Sequence, residues 1–215
     1  MDFKPGEFFV GIVDFFAILM PGALLAYATK DWASQKLFGP ILPKIEGEVQ
    51  GWVAFILAAY LLGHFIFLLG AVLDRYLYDP YRKRRLRENH DRLFKRARLL
   101  KRRALRERCK APVLNTYKWA RTNVQLFQPA AAVEIHRLEA DSKFFRSLVV
   151  LLFLLTLFLL YKGALLALAM SSGLMLLSFI RYADQRYKST QLAYTCLLAM
   201  DHRKSDKPES APKPA

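Results

Sequence analysis

The chain has 215 residues, 54% of them hydrophobic, and a formal net charge of +15. Its mean hydropathy of +0.13 averages very apolar flanks with a very basic centre, and those apolar blocks are too long and continuous for a soluble domain to bury. The two cysteines, Cys109 and Cys196, lack CxxC or Cys/His spacing, which excludes a disulfide scaffold or a zinc module.

Residues 8–28 are apolar apart from Asp14 and predict a first membrane span. Ala26 and Ala28 flank Tyr27 in a small-x-small pattern that resembles a signal-peptide cleavage site. The acidic start, with Asp2 and Glu7 against Lys4, and the interruption at Asp14 favour an uncleaved span instead. Pro21 and Gly22 predict a kink, because proline removes a backbone donor and crowds the preceding turn.

Residues 29–51 form a connector of balanced charge, with Lys30, Lys36 and Lys44 against Asp31, Glu46 and Glu48. A neutral loop beside a strongly basic one is expected outside the cytoplasm, with Trp32 and Trp52 at the interface. Residues 52–73 predict a second span with His64 near its middle. Asp14 and His64 are the ionisable side chains deepest in the spans, and such groups usually face a partner or a wet cavity. Two readings follow: a proton- or ion-responsive pair in a conduction path, or one polar contact between two helices.

Residues 74–146 carry 21 of the 33 Lys and Arg and only 8 of the 18 acids. Asp79 and Pro80 predict a break or a bend. Residues 81–108 then read as a long helix with a heptad seam of Leu86, Leu93 and Leu100, interleaved with His90, Ala97 and Ala104. The seam can pack within the chain or between chains. The positions around it are almost all basic, so pairing between parallel copies would set like charges together. Arg82, Lys83, Arg84, Arg85, Arg87, Arg96, Arg98, Lys101, Arg102 and Arg103 form the candidate anion- or lipid-binding surface. Orientation is expected to be set by Arg75, Arg82, Lys83, Arg84, Arg85, Arg87 and Arg92, which lie within about 20 residues of the second span, where cytoplasmic Lys and Arg count. Anionic lipid headgroups are one expected partner. A nucleotide or nucleic acid is another, with Tyr81, Phe94, Tyr117 and Trp119 available to stack on bases. No Gly-rich phosphate loop accompanies them.

A second helix is expected from a cap at Asn115 to about Phe127. A third begins near Pro129, a residue suited to a first helical turn, and runs on into the membrane. Glu134, His136, Glu139 and Asp141 are ligand-type residues, but His136 points away from the face shared by Glu134 and Asp141, so no metal site is expected. Residues 148–180 are apolar for too long to be one span and are expected to fold back at Lys162 and Gly163. Arg146 then snorkels to the headgroups. Ser171 and Ser172 suit helix packing.

The sequence therefore predicts an all-α, polytopic membrane protein with four spans, both termini cytoplasmic, in a layout that resembles small bacterial inner-membrane proteins. Its expected parts are a pair of spans (1–73), a basic cytoplasmic helical domain (74–146), a transmembrane hairpin (147–180), an amphipathic cytoplasmic helix (181–203) and a disordered tail (204–215). No HExxH, GxSxG or paired-cysteine motif is present, so neither an enzyme nor a bound cofactor is expected. The expected function is a membrane sensor or effector, as a homo-oligomer or with a partner protein. The alternative is a non-conducting anchor that recruits a partner protein or anionic lipid.

Overall fold

A computed structural model describes residues 5–33, 48–85, 87–106 and 115–205, with side chains described for 15, 17–32, 49–84, 92–106 and 115–202. All the described elements are helical: α1 (Pro5–Ala33), α2 (Glu48–Leu73), a π-helical segment (Asp74–Tyr78), α3 (Asp79–Arg85), α4 (Arg87–Ala104), α5 (Thr116–Phe127), α6 (Pro129–Lys162) and α7 (Leu165–Ser205). Among the described residues three helices are long and apolar enough to cross a membrane: Val49–Arg84, Pro129–Lys162 and Leu165–His202. By length and composition they are those of a multi-pass membrane protein. Four spans were expected; α1 is helical over the expected first span, and about half of its side chains lie outside the described residues in which these three are found.

The chain divides into two compact units, Met1–Arg82 with Glu139–Arg186 and Lys83–Leu138 with Tyr187–Ala215. The division falls inside α3, α6 and α7, so each of these helices contributes residues to both units.

In the first unit α1 and α2 cross at small residues. Ala17, Pro21, Gly22, Ala59 and Gly63 are all buried. A methyl group on Gly22 would lie 1.8 Å from the Ala59 carbonyl oxygen, and one on Gly63 would lie 2.1 Å from the Ile18 carbonyl oxygen. Only glycine allows backbones this close, as in small-residue helix pairs of membrane proteins. Pro21 lies inside α1, fully buried. Leu25 of α1 and Ile66 of α2 join Val150, Leu151 and Leu154 of α6 in an apolar cluster.

The expected fold-back is present: α6 ends at Lys162, Gly163 adopts φ +72°, and α7 starts at Leu165. A side chain at such φ is strained, so glycine makes the turn. Ser171 joins the two helices, donating to the Leu152 carbonyl at 3.2 Å while accepting from the Thr156 hydroxyl at 3.0 Å.

The expected break at Asp79 and Pro80 is absent. The chain stays helical from α2 through α3, and the preceding turn widens to π geometry, with the Asp79 N–H donating to the Asp74 carbonyl. Proline in an α-helix clashes with the carbonyl four residues back; the extra residue in a π turn shifts those carbonyls and lets the helix continue.

The second unit closes on a core from α4, α5, the start of α6 and the end of α7. Ala97, Trp119, Ala120, Val124, Ile135, Ala193, Tyr194 and Leu197 are buried there, with Leu93, Phe94 and Leu100 packed around them. The heptad seam is thus used inside the chain at Leu93, Ala97 and Leu100; Leu86 and the side chain of His90 lie outside the described residues. α4 ends at Ala104, earlier than the expected end near residue 108. Arg106 takes a left-handed conformation at φ 46°, its N–H donates to the Arg103 carbonyl and that of Leu105 to Lys101, and the helix stops. α5 starts where expected: the Asn115 side chain accepts from the Tyr117 N–H at 2.8 Å.

Candidate functional site

The expected pair of Asp14 and His64 is only half visible. Asp14 falls within α1, but its side chain lies outside the described residues. His64 is exposed on α2, with its ring edge-on to Tyr60 at 4.5 Å. Its side chain does not point into the α1–α2 crossing, where the neighbouring Gly63 sits against Ile18.

The first unit instead builds a polar cluster around Asp74, the first residue of the π segment. One carboxylate oxygen accepts from the Arg146 guanidinium at 2.7 Å, and the other accepts from the Tyr182 hydroxyl. The Arg146 and Asp74 side chains are only 12% and 30% exposed. The Arg146 guanidinium lies over the Phe67 ring at 4.7 Å. Gly70 makes room for it: a methyl group there would meet Arg146 Nε at 3.0 Å. Arg146 Nε is buried without a hydrogen-bond partner. Tyr78 stacks obliquely on Tyr182 at 5.5 Å, and Phe179 and Tyr81 close the aromatic side of the site. One carboxylate thus ties the π segment after α2 to α6 and α7. Arg146, expected near the headgroups, thus has a carboxylate and an aromatic face as partners within the chain.

Asp74 and Arg146 are 72 residues apart, and no local pattern links them. A weak signal existed: an acid and a base, each at the end of a predicted span, in a chain whose spans must be neighbours.

The proposed anion-binding residues, Arg82 at the end of one stretch of the first unit and the rest in the second, divide by exposure. Arg96, Arg98, Arg102 and Arg103 are exposed, as are Lys83 and Arg84. Arg82 is half-buried and lies 3.9 Å from Asp79. Lys101 is 1% exposed and sits inside the unit. The side chains of Arg85 and Arg87 lie outside the described residues. The helical wheel gives the reason. Lys101 follows buried Ala97 by four residues, ~40° round the helix, whereas Arg98 and Arg102 lie ~100° or more away.

The four aromatic residues considered for base stacking are spent in packing. Trp119 is buried in the core, Phe94 and Tyr117 pack on Tyr194, and Tyr81 packs on Phe179. The Tyr117 hydroxyl also bonds to Ser189 Oγ at 2.7 Å. Aromatic side chains supply large apolar area, and a small helical unit draws on it for its core. Glu134 pairs with Arg137, and His136 Nδ1 lies 3.0 Å from Arg121. Among the described residues no group of three or more His, Cys, Asp or Glu is placed to hold a metal.

Comparison with protein-family models, with curated proteins and with solved structures finds no match.

Proposed function

We propose that this chain is a membrane sensor or effector. In this reading α1 is a fourth span, both termini are cytoplasmic in a bacterial inner membrane, and the protein works as an oligomer. The basic helical unit binds an anionic ligand or partner in the cytoplasm, and the spans respond, as a pore in the conducting version. The chain is not read as an enzyme.

One observation carries the reading: α4 presents an exposed arginine face while packing on α7, and α7 is itself one of the helices long and apolar enough to span. A ligand held on α4 therefore acts on a helix whose other part is a candidate span. The exposure of His64 supports the oligomer, since an ionisable ring facing hydrocarbon is costly and a second copy or a wet pore would relieve it.

A specific observation favours the second reading, a non-conducting anchor that recruits a partner protein or anionic lipid. Asp74 is satisfied by Arg146 and Tyr182, so the charge at that site is neutralised within the chain and offers an ion no open ligand.

Ion flux from liposomes carrying the purified protein, with and without nucleotides and short oligonucleotides, separates the two. Flux that depends on the anion and is lost in Asp14→Ala or His64→Ala supports the sensor. Absence of flux under every condition overturns the conducting version and favours the anchor.

A further inference from the structure

The second unit contains a groove of about 550 Å³ between α4 and α7. Leu93, Leu99 and Leu100 of α4 and Leu198 of α7 give it apolar walls, while Arg96 and Arg103 line it from α4. These two arginines are seven residues apart. They therefore lie ~20° apart round the helix and ~10.5 Å apart along it, on the same side of the buried stripe. Arg98 and Arg102 lie elsewhere on α4 and do not line the groove. On the α7 side Asp201 and His202 line it too, so the cationic character is confined to the α4 side.

We infer that this groove binds one anionic amphiphile, a phosphodiester or phosphomonoester head on Arg96 and Arg103 with an acyl chain along the leucines. The inference rests on the proposed anion-binding role of the basic unit and assigns it a place and a ligand class. Charge and shape select that class together. Two guanidinium groups on one side match a phosphate, which arginine binds through several directed hydrogen bonds. The leucines match a hydrocarbon chain, while the polar groups other than the arginines, Thr195, Asp201 and His202, lie on the α7 side. The volume lies within the ordinary range for small-molecule sites, ~300–1,000 Å³. Leu99, 55% exposed on a helix that is otherwise basic over most of its surface, has a purpose in this arrangement as the outer wall of the groove. Asp201 disfavours a second negative charge on the α7 side, so a head with a single phosphate fits better than a polyanion.

The test is native mass spectrometry of the full chain from an uncharged detergent, titrated with phosphatidylglycerol, phosphatidylcholine, glycerol phosphate or a 12-nucleotide DNA. One tightly bound phosphatidylglycerol is expected. R96Q/R103Q weakens it about tenfold or more, as loss of two well-placed cationic contacts predicts. R98Q/R102Q, with the same charge change, moves it less than about threefold. L99N weakens phosphatidylglycerol but not glycerol phosphate. All five exchanged side chains are exposed, and circular dichroism checks that each variant keeps its helices. Equal weakening by the two arginine pairs overturns the groove and leaves general anion binding standing. Binding of glycerol phosphate or of DNA as tightly as phosphatidylglycerol through Arg96 and Arg103 overturns the amphiphile. Failure of every anion to bind overturns both the groove and the anion-binding reading beneath it.

Discussion

Replacing Gly22 by alanine tests the crossing of α1 and α2 directly. The new methyl carbon would lie 1.8 Å from the Ala59 carbonyl oxygen and 2.6 Å from the Gly63 nitrogen, where ordinary contact begins at 3.4 Å. Both obstacles are backbone atoms, so no side-chain rotation relieves them. The helices must separate by about 1.6 Å at this point. A gap of ~0.5–1 Å already forfeits a quarter to a half of a dispersion contact, so most of the local packing is lost. Overpacking costs ~1–3 kcal/mol, and a backbone clash falls at the upper end. Alanine regains up to ~1 kcal/mol in helix propensity. Gly173→Ala is the control, because a methyl group there meets nothing within 4 Å and only the propensity gain remains. In reversible unfolding by sodium dodecyl sulfate from mild micelles, Gly22→Ala should be less stable than Gly173→Ala by about 2–3 kcal/mol. If Gly22→Ala is as stable as Gly173→Ala, the two helices do not cross at Gly22 and the packing described for them is wrong.

Asp74→Ala leaves the Arg146 guanidinium mostly buried without its carboxylate. Breaking a buried pair in this way costs ~3–5 kcal/mol, and the partial exposure of Asp74 puts the loss near the lower end; the double variant Asp74→Ala/Arg146→Met should recover part of it in the same unfolding assay. Recovery of none would show that the pair is not what holds the site. Ser171→Ala removes the hydroxyl shared with Thr156 and the Leu152 carbonyl and should cost only ~0.6 kcal/mol, the mean for polar contacts between membrane helices. Trp119→Ala empties the core of the second unit and should cost ~3–5 kcal/mol, read as loss of protection of α4 and α5 amides in hydrogen exchange. Lys101→Ala should destabilise the same unit by ~1–3 kcal/mol because its stem fills the interior, whereas Arg102→Ala should stay within ~0.5 kcal/mol. Equal effects at these two positions would contradict the burial of Lys101.

Much of the helical plan was legible because its signals are local. A capping asparagine, a proline suited to a first turn and a glycine after Lys162 each act over three or four residues, and each falls at a helix boundary. The leucine seam could be read as a stripe, but its partner could not. Only the folded chain shows that Ala97 shares a core with Trp119, Val124 and Leu197. The π segment left no readable trace, since a one-residue shift in register neither breaks the apolar run nor changes its composition. Asp79 and Pro80 therefore read as a break when the turn before them had absorbed it. Gly63 was missed for a related reason. Glycines are common in membrane helices, and its importance appears only when Ile18 is placed across from it.

The basic surface shows where counting charges stops being enough. Ten residues were grouped as one anion-binding surface by type and proximity, yet the helix sorts those it carries by angle. Lys101 turns inward, Arg96 and Arg103 line the groove, and Arg98 and Arg102 face elsewhere. A topology signal needs only the number of positive charges near a span, so it is indifferent to this sorting. A binding site is not, because it needs particular guanidinium groups on one side of one helix. Neutralising Arg96 and Arg103, or instead Arg98 and Arg102, leaves the same total charge and therefore separates the two roles. Orientation in the membrane should follow the total, and ligand affinity should follow the pair.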